Sequence, residues 1–479
     1  MNYSEKINSL LKQGILPSPD VLDEEIIPEN IQKESDLKDK EISNDYKEKL
    51  SDMDISNSKN KIKIVFNYNK ASKKRVIDDF VKLFNHRFKA LEKIIRQRPE
   101  LQNLISINKL KFKAEKETAS IIGLVSDKAE TKNNHIILTL EDITGSTTVL
   151  ISKNNKELYE VAKDLVLDEI IGVTGVSGKN ILFANNLIFP DIPLNRELKK
   201  APEEKYAVFI SDTHIGSKVF LEKEFEKFIV WINGETGSEE QREIANKTKY
   251  IFITGDLVEG VGVYPGQEND LSIKDIKEQY KSLVKYLKRI KQDKRIIICP
   301  GNHDAGRLAE PQPAMYNDFA EPLLELSNTI IVSNPAMVNI ESSDDFSGLD
   351  VLMYHGYSLI YYADNVPSIR AAGGQKRVDL IMKFLLQKRH LAPSHESNMY
   401  IPDAEEDPML INVIPDIFVT GHIHRATAAQ YRGVTLLNTS CWGDITEDQE
   451  KRGLEPQPGR VIILNLQTRK VKIVNFYNK

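Results

Sequence analysis

The sequence contains few cysteines and no long apolar segment. Of its 479 residues only Cys299 and Cys441 are cysteines, and their spacing matches neither a zinc knuckle nor a redox pair. So low a cysteine content is typical of a reducing compartment. No apolar run approaches the about 20 residues needed to span a bilayer, and the first residues, MNYSEKINSLLKQG, lack the apolar core of a secretory signal. We therefore expect a cytoplasmic protein that does not bind membranes.

Charge is nearly balanced over the chain but unevenly distributed along it. The net charge is −5, yet residues 20–54 carry thirteen acidic and five basic residues, whereas residues 59–113 carry four acidic and sixteen basic residues. The basic stretch is compatible with a surface that binds nucleic acid or an acidic partner. It is equally compatible with a solvated helix face, so both interpretations stay open.

The length predicts two or three domains. Residues 1–27 contain a short helical pattern, and residues 28–60 are charged and poor in aromatic residues, which predicts a small helical segment followed by a disordered linker. Residues 61–104 combine a strand-like run, KIKIVFNY, with an apolar stripe at helical spacing that extends from Val76 to Ile95. This part is predicted to be a strand–helix segment.

The remainder predicts a barrel followed by a larger layered domain. Residues 105–197 contain short strands separated by turn signals, which favours a small β-barrel of the OB-fold type. We place its hairpin turns around Gly145 and at Ser177–Gly178. From residue 203 to residue 479, strand-like and helix-like segments alternate, as in a layered α/β or α+β domain. The predicted fold class is therefore α+β with several domains.

Five hydrophobic runs in the last domain end in side chains that bind metals. The runs are YAVFISDTH, KYIFITGD, RIIICPGNHD, VLMYHG and IPDIFVTGHIH, and their candidate ligands are Asp212, His214, Asp256, Asn302, His355, His422 and His424. Loops beyond strand ends are where layered sheets hold ligands. Five of the nine histidines fall in these segments. The repeated pattern predicts one site built from several strand ends.

The candidate ligands suggest a particular chemistry. Carboxylate, amide and imidazole groups suit manganese, iron or zinc, and no thiolate is present to favour a soft metal. The set is large enough for two ions, and Asp256, with two carboxylate oxygens, is the natural bridge between them. Two metals about 3.5–4 Å apart form a clamp for phosphoryl transfer. The residues therefore predict a phosphoesterase.

The ordered set SDTH, GD, GNHD, HG and GHIH resembles the calcineurin-like binuclear metallophosphoesterase superfamily. The resemblance implies a two-sheet β-sandwich flanked by helices. It also implies two divalent metal ions, for which we expect manganese, although other divalent metals fit as well. One ion would bind Asp212, His214, Asp256 and His424, and the other would bind Asp256, Asn302, His355 and His422. His303 would approach the scissile phosphate as a catalytic residue, and Asp304 would orient it.

Longer strings resemble the small subunits of archaeal D-family DNA polymerases over residues 65–479. These strings are EDITGS, GVGVYPGQ, PGNHDAGRLAEPQP and KRHLAP. The resemblance implies a 3′–5′ proofreading exonuclease that acts on single-stranded or primer-terminus DNA in a heterodimer with a large catalytic polymerase subunit. Glu259 departs from the superfamily pattern, in which a second aspartate is frequent. Because Glu259 is not among the implied ligands, we expect activity to survive this departure.

Two other classes of function remain open. The chain could be a non-catalytic accessory or scaffold subunit, although the complete ligand set favours a working enzyme. It could also be a repair nuclease or a phosphoprotein phosphatase with the same metal site, and the barrel and the basic segment favour nucleic acid over a phosphoprotein.

Three further residues are candidates for contacts with nucleic acid. Arg307 and Arg425 stand next to the third and fifth motifs and could bind phosphates; surface ion pairing is the alternative for each. Tyr264, in VGVYPGQ, could stack on an unpaired base or could pack its own loop.

Overall fold

The structure is a computed structural model that describes residues 62–70, 73–403, 405–446, 450, 453 and 455–477. The predicted helical segment 1–27 and linker 28–60 lie outside the described residues. Each helix that the structure describes is too short or too polar to cross a membrane.

The predicted barrel is a closed five-stranded barrel with the strand order β2-β3-β4-β6-β5. Its strands are β2 (Thr118–Glu130), β3 (Ile136–Asp142), β4 (Gly145–Ile151), β5 (Ile170–Gly178) and β6 (Ile181–Ile188). Alternate residues such as Leu138, Leu140 and Val149 are fully buried inside it, as expected for strands with one face in a core. Helix α3 (Lys156–Lys163) connects β4 to β5.

One predicted turn of the barrel is correct and the other is displaced. The β3–β4 turn immediately precedes Gly145, as predicted. The β5–β6 turn was expected at Ser177–Gly178, but it lies at Lys179–Asn180. Asn180 has a φ of 60°, and asparagine tolerates this left-handed conformation better than most residues. The tight turn therefore forms where that residue stands.

Two six-stranded sheets pack face to face as a two-sheet sandwich. The first has the order β1-β11-β12-β13-β15-β14 and the second has the order β10-β9-β8-β7-β16-β17. The first comprises β1 (Ile62–Asn67), β11 (Ala336–Ile340), β12 (Leu349–Met353), β13 (Ile417–Thr420), β14 (Thr427–Tyr431) and β15 (Val434–Asn438). The second comprises β7 (Tyr206–Ile210), β8 (Thr248–Thr254), β9 (Arg295–Cys299), β10 (Thr329–Ile331), β16 (Arg460–Asn465) and β17 (Val471–Asn475).

The inward faces of both sheets share one core. Phe209 and Phe252 stack with ring centroids 5.0 Å apart, and they pack with Val338, Val351 and other apolar residues of the first sheet. These strands are almost continuously apolar because both of their faces are covered. Burial of a side chain of this size stabilises the fold by about 1.5–3 kcal/mol.

Helices cover the outer faces of the sandwich. Helices α8 (Leu359–Asn365), α9 (Pro367–Ala371) and α10 (Val378–Lys388) pack on the first sheet. The crossovers within the second sheet contain α4 (Glu222–Ile232), α5 (Glu239–Lys247), α6 (Ile276–Leu287) and α7 (Asn317–Leu324). Because these crossovers make β7, β8 and β9 parallel, the carboxyl ends of the three strands lie at one edge of the sheet.

Strand β1 belongs to the sandwich rather than to a separate segment. It pairs antiparallel with β11, although the sequence grouped it with the following helix in residues 61–104. That helix, α1 (Ile77–Ile95), packs Phe88, Leu91 and Ile95 against the outside of the barrel. The short helix α2 (Ile107–Leu110) follows it. The chain thus enters the sandwich before it forms the barrel.

A buried ion pair ties α1 to the sandwich. Arg87 is 1% exposed, and its Nε lies 2.7 Å from Oδ2 of Asp407. The same oxygen accepts a hydrogen bond from Nε2 of His390 over 2.9 Å. Despite burial, the charge of Arg87 and the hydrogen bond from His390 hold the pKa of Asp407 below its ordinary value, while burial and Arg87 lower the pKa of His390 to about 4 and keep its imidazole neutral. His390 is therefore a buried structural residue, whereas His86, in the same helix as Arg87, is exposed as expected.

Candidate metal centre

The predicted strand ends meet at one site. Asp212, Asp256 and Asn302 follow the parallel strands β7, β8 and β9 within three residues. His355 and His422 follow β12 and β13, which are parallel to each other in the first sheet. Since parallel strands present their carboxyl ends at the same edge, the topology of each sheet gathers its own ligands.

Ligand atoms of these residues form three overlapping groups, each within 4.8 Å. The groups are Asp212 with His214 and His424, His214 with Asp256 and His303, and Asp256 with His355 and His422. Asn302 joins the third group, because its Oδ1 lies 3.0 Å from Nε2 of His355. All seven predicted ligands therefore lie together, with His214 shared by the first and second groups and Asp256 shared by the second and third.

The backbone at the site is strained. Five of the seven ligand-type residues have left-handed φ angles, which non-glycine residues rarely adopt: Asp212 at 51°, His214 at 46°, Asp256 at 50°, His422 at 66° and His424 at 55°. Each such residue costs on the order of 1–3 kcal/mol and is retained where the surroundings impose it. Clustering of this strain at one place is typical of a functional site.

Adjacent glycines make the close approach possible. A Cβ atom on Gly301 would lie 2.3 Å from Oδ1 of Asp256, and one on Gly421 would lie 2.7 Å from Oδ2 of Asp212. Side chains at these positions would displace the carboxylates. The glycines of the GN and GH motifs, Gly301 and Gly421, are therefore required because a larger side chain would clash with the carboxylates.

The electrostatics suit a bound cation. Burial favours the neutral acid, but His355 and His303 hold the pKa of Asp256 well below its ordinary value. Burial and the charge of His355 lower the pKa of His422 to about 3, so its imidazole is neutral. Although burial opposes it, Asp256 and Asp212 raise the pKa of His355 to about 10. The carboxylates thus create a negative potential, and ionised carboxylate and neutral imidazole are the forms that bind metals.

Two histidines are oriented by partners outside the ligand groups. Nδ1 of His214 lies 3.0 Å from Oε2 of Glu259, and Nδ1 of His355 lies 2.9 Å from the carbonyl oxygen of Thr254. The carbonyl oxygen of Thr254 only accepts, so it places a proton on Nδ1 of His355, whereas the contact between His214 and Glu259 is an ion-pair contact without hydrogen-bond geometry. In both rings Nε2 faces other candidate ligands. This role of Glu259 was not predicted from the sequence. The signal available for it was an acidic residue three positions after Asp256.

His303 and Asp304 occupy different environments. Nδ1 of His303 lies 2.8 Å from the carbonyl oxygen of Glu259, and its backbone N–H donates to Oδ1 of Asp256 over 2.8 Å. Asp304 was expected to orient His303. Instead it accepts hydrogen bonds from the backbone N–H groups of Gly301, over 2.8 Å, and Leu257, over 3.1 Å. Asp304 therefore fixes the two loops, and Glu259 holds the histidine ring.

Hydrogen bonds and ring contacts hold the three nucleic-acid candidates in different ways. Nε of Arg307 donates to the carbonyl oxygen of Pro311 over 2.9 Å, and its guanidinium lies over the ring of Tyr68. Nη1 of Arg425 lies 3.8 Å from Oε2 of Glu455. The ring of Tyr264 is 39% exposed and lies edge-on to His303, with centroids 6.4 Å apart. Tyr264 is thus in ring contact with a residue of the metal centre.

Known families match both parts of the chain. The model of calcineurin-like phosphoesterases matches residues 207–426, and the model of OB-fold nucleic acid binding domains matches residues 119–183. These matches confirm the predicted fold, and a metallophosphoesterase domain implies that divalent metal ions bind to it.

Curated relatives extend the match over most of the chain. The DNA polymerase II small subunit of Pyrococcus furiosus is 40% identical over 426 residues, which are 88% of this chain and 68% of that protein. The DNA polymerase II small subunit of Methanothermobacter thermautotrophicus is 40% identical over 390 residues, 81% of this chain and 78% of that protein. The DNA polymerase II small subunit of Thermoplasma acidophilum is 34% identical over 407 residues, which are 84% of this chain and 78% of that protein. This chain therefore belongs to the family of archaeal DNA polymerase II small subunits.

Proposed function

We propose that this chain is a metal-dependent 3′–5′ exonuclease that hydrolyses DNA phosphodiesters and removes mismatched nucleotides for a DNA polymerase. The observation that supports this most strongly is the convergence of seven ligand-type side chains, Asp256 among them, five of them on strained backbone. A scaffold subunit has no need for such strain. The complete set therefore favours a catalyst over a purely structural partner.

The residues fit two divalent cations that share Asp256. One cation is assigned to Asp212, His214, Asp256 and His424, and the other to Asp256, Asn302, His355 and His422. The donors are oxygen and imidazole nitrogen, which suits manganese. Bound there, the cations would activate water and neutralise charge at the phosphodiester. Asp256, 1% exposed and deprotonated, is the side chain that both assignments need.

His303 is assigned to the leaving oxygen. A carbonyl oxygen only accepts hydrogen bonds, so the contact with Glu259 requires a proton on Nδ1. Nε2 has no hydrogen-bond partner among the residues that the structure describes. In the neutral ring, which burial favours by lowering the pKa of His303, Nε2 is an acceptor, so it donates to a phosphate oxygen only after it has taken up a second proton. General acid catalysis of this kind contributes about 10²–10⁴-fold to a rate. Asp304 contributes indirectly, because it fixes the loop that carries His303.

Tyr264 is assigned to the base next to the scissile bond. Its hydroxyl is held by Oδ2 of Asp270 at 3.0 Å and by Oε1 of Glu259 at 3.3 Å. These contacts fix the ring while part of its face stays exposed, as stacking on an unpaired base requires. Arg307 and Arg425 are proposed phosphate contacts, and each would have to exchange its present partner for the phosphate.

The proposed partner is the large catalytic polymerase subunit, as a heterodimer that presents a single-stranded or primer-terminus 3′ end to this chain. The relatives are named small subunits of a polymerase, which implies a larger one. The match to OB-fold nucleic acid binding domains supports DNA as the substrate over a phosphoprotein.

Replacement of His303 by alanine tests the proposal. The complex of this chain with its large subunit should degrade 3′-terminal single-stranded DNA in manganese, and His303→Ala should reduce the rate by about 10²–10⁴-fold without loss of assembly. The matched control is His86→Ala, which removes an exposed histidine of α1. Unchanged degradation in His303→Ala, or a wild-type complex that cleaves phosphomonoesters but no DNA, would refute the assignment.

A further inference from the structure

A cluster of buried polar side chains adjoins the metal centre and contains none of its candidate ligands. It comprises Glu310, Gln312 and Asn334, here termed the carboxylate–amide cluster, and all three residues are buried. Gln312 and Asn334 are also paired through their backbones, because the N–H group of each donates to the carbonyl oxygen of the other, over 2.7 and 2.9 Å. Two segments that are separate in the sequence therefore meet in this cluster.

The cluster holds the two loops that supply Asn302 and His355. Oδ1 of Asn334 accepts a hydrogen bond from the backbone N–H of His355 over 2.9 Å. Nε2 of Gln312 donates to the carbonyl oxygen of Gly301, the residue before Asn302, over 3.0 Å. Nδ2 of Asn334 donates to Oε1 of Gln312 over 2.7 Å, so the two loops are connected through a pair of amide side chains.

Each amide of the cluster can take only one orientation. The carbonyl oxygen of Gly301 accepts but cannot donate, so it requires Nε2 of Gln312 and turns Oε1 toward Asn334. That oxygen requires Nδ2 of Asn334, whose second hydrogen is taken by Oε1 of Glu310 over 3.0 Å. Oδ1 of Asn334 is thereby left for the backbone of His355. Buried networks whose hydrogen bonds are all made rigidify the groups that they connect.

Packing alone does not call for these polar groups, because apolar side chains of the same shape in place of hydrogen-bonded partners can be nearly neutral for stability. The carboxyl group of Glu310 also occupies other donors: the hydroxyl of Tyr354 donates to its Oε2 over 2.9 Å, and Nδ2 of Asn398 donates to the same oxygen. What the cluster adds is a fixed separation between two loops. Nε2 of His355 lies 3.0 Å from Oδ1 of Asn302, and both residues are assigned to the same cation.

The ligands of the other cation have separate supports. Oδ2 of Asp212 accepts a hydrogen bond from the hydroxyl of Ser211, and Nδ1 of His214 lies 3.0 Å from Oε2 of Glu259. Loss of the carboxylate–amide cluster should therefore affect the two cations unequally.

We propose that the carboxylate–amide cluster positions Asn302 and His355 and thereby sets the affinity for the cation that these two ligands share. Its three members are positioning residues, because each acts on a ligand through another group. The inference rests on the proposed function for the assignment of that cation. Loss of a partner that orients a metal ligand typically lowers metal affinity by about 10- to 100-fold.

Calorimetric titration of the full chain with manganese tests the inference without a measurement of activity. The wild type should bind two ions, and Asn334→Leu should weaken one binding step by about 10- to 100-fold and leave the other unchanged. The matched control is Asn339→Leu. Asn339 is also buried, and its Nδ2 donates to the carbonyl oxygen of Ser347 over 3.0 Å and to Oδ1 of Asp350 over 2.8 Å. This control should lose stability but keep both binding steps.

Two further variants extend the test. Gln312→Met removes the amide that holds Gly301 with little change in volume, and it should weaken the same binding step, so it carries the test if thermal unfolding in EDTA shows that Asn334→Leu does not fold. Glu310→Gln should keep both steps, because a glutamine oxygen still accepts from Asn334. Its amide nitrogen can donate to Oδ1 of Asn398, which has no hydrogen-bond partner among the described residues.

Wild-type affinities for both ions in Asn334→Leu and Gln312→Met would overturn the inference. Equal weakening of both steps would also overturn it, because the cluster would then support the whole domain rather than one cation. Loss of a step in Glu310→Gln would overturn the orienting role of Glu310. A wild-type complex that binds two manganese ions but degrades no DNA would refute the proposed nuclease, while selective loss of one step in the variants would still support the positioning role.

Discussion

Replacement of Glu259 by glutamine should weaken metal binding without abolishing the site. Glu259 is 6% exposed, and its Oε2 lies 3.0 Å from Nδ1 of His214. Glutamine keeps the length and the acceptor oxygen but removes the charge. In the metal-bound site, a hydrogen bond from Nδ1 to the charged carboxylate would contribute about 1.5–3 kcal/mol and one to the neutral amide about 0.5–1.5 kcal/mol. The difference, about 1–1.5 kcal/mol, corresponds to an affinity about 5- to 13-fold weaker.

Calorimetric titration of the chain with manganese measures this loss directly. Glu259→Gln should raise the half-saturating manganese concentration by that factor, and the rate at saturating manganese should return close to the wild-type rate. Glu259→Ala removes the acceptor altogether, and its affinity should fall by about 10- to 100-fold. Glu268→Gln is the matched control, because Glu268 is an exposed glutamate in the loop that follows.

Manganese affinity that is the same in Glu259→Gln, Glu259→Ala and the wild type would refute the reasoning. It would mean that His214 needs no carboxylate to present Nε2, and that the contact with Glu259 is structural. Thermal unfolding in EDTA shows whether each variant is folded. A variant that is folded and binds manganese with wild-type affinity leaves no other interpretation.

Three further perturbations test the fold and the site. Arg87→Met should cost about 3–5 kcal/mol in urea unfolding, because it leaves the carboxylate of Asp407 buried without a cationic partner. Adding Asp407→Leu should recover much of the loss, and a single-variant cost below about 1 kcal/mol would contradict the ion-pair argument. Gly301→Ala should abolish manganese binding in the same calorimetric titration, because its Cβ would lie 2.3 Å from Oδ1 of Asp256, whereas Gly306→Ala, with open space around its Cβ, should bind normally. EDTA should abolish nuclease activity and manganese should restore it, and activity that persists in EDTA would exclude the proposed chemistry.

The barrel and the convergence of the candidate ligands could be predicted from the sequence because both depend on local patterns. Alternation such as that of Leu138 and Leu140 identifies a strand with one buried face. Polar residues that follow apolar strands, as Asp212 follows β7, identify a strand end. The order of five such motifs restricted the family, and the relatives confirmed it.

The tertiary structure alone decided which residues support that site and which strands complete the sheets. Strand β1 pairs with Ala336–Ile340, a partner far along the chain that no local pattern specifies. Glu259 holds His214 and His303, while Asp304 holds Gly301 and Leu257, because left-handed turns redirect neighbouring side chains. The sequence determines which donor and acceptor groups are available. Whether two of them form a hydrogen bond depends on a donor–acceptor distance that must be right to within a few tenths of an ångström, and such distances are set only when distant segments pack.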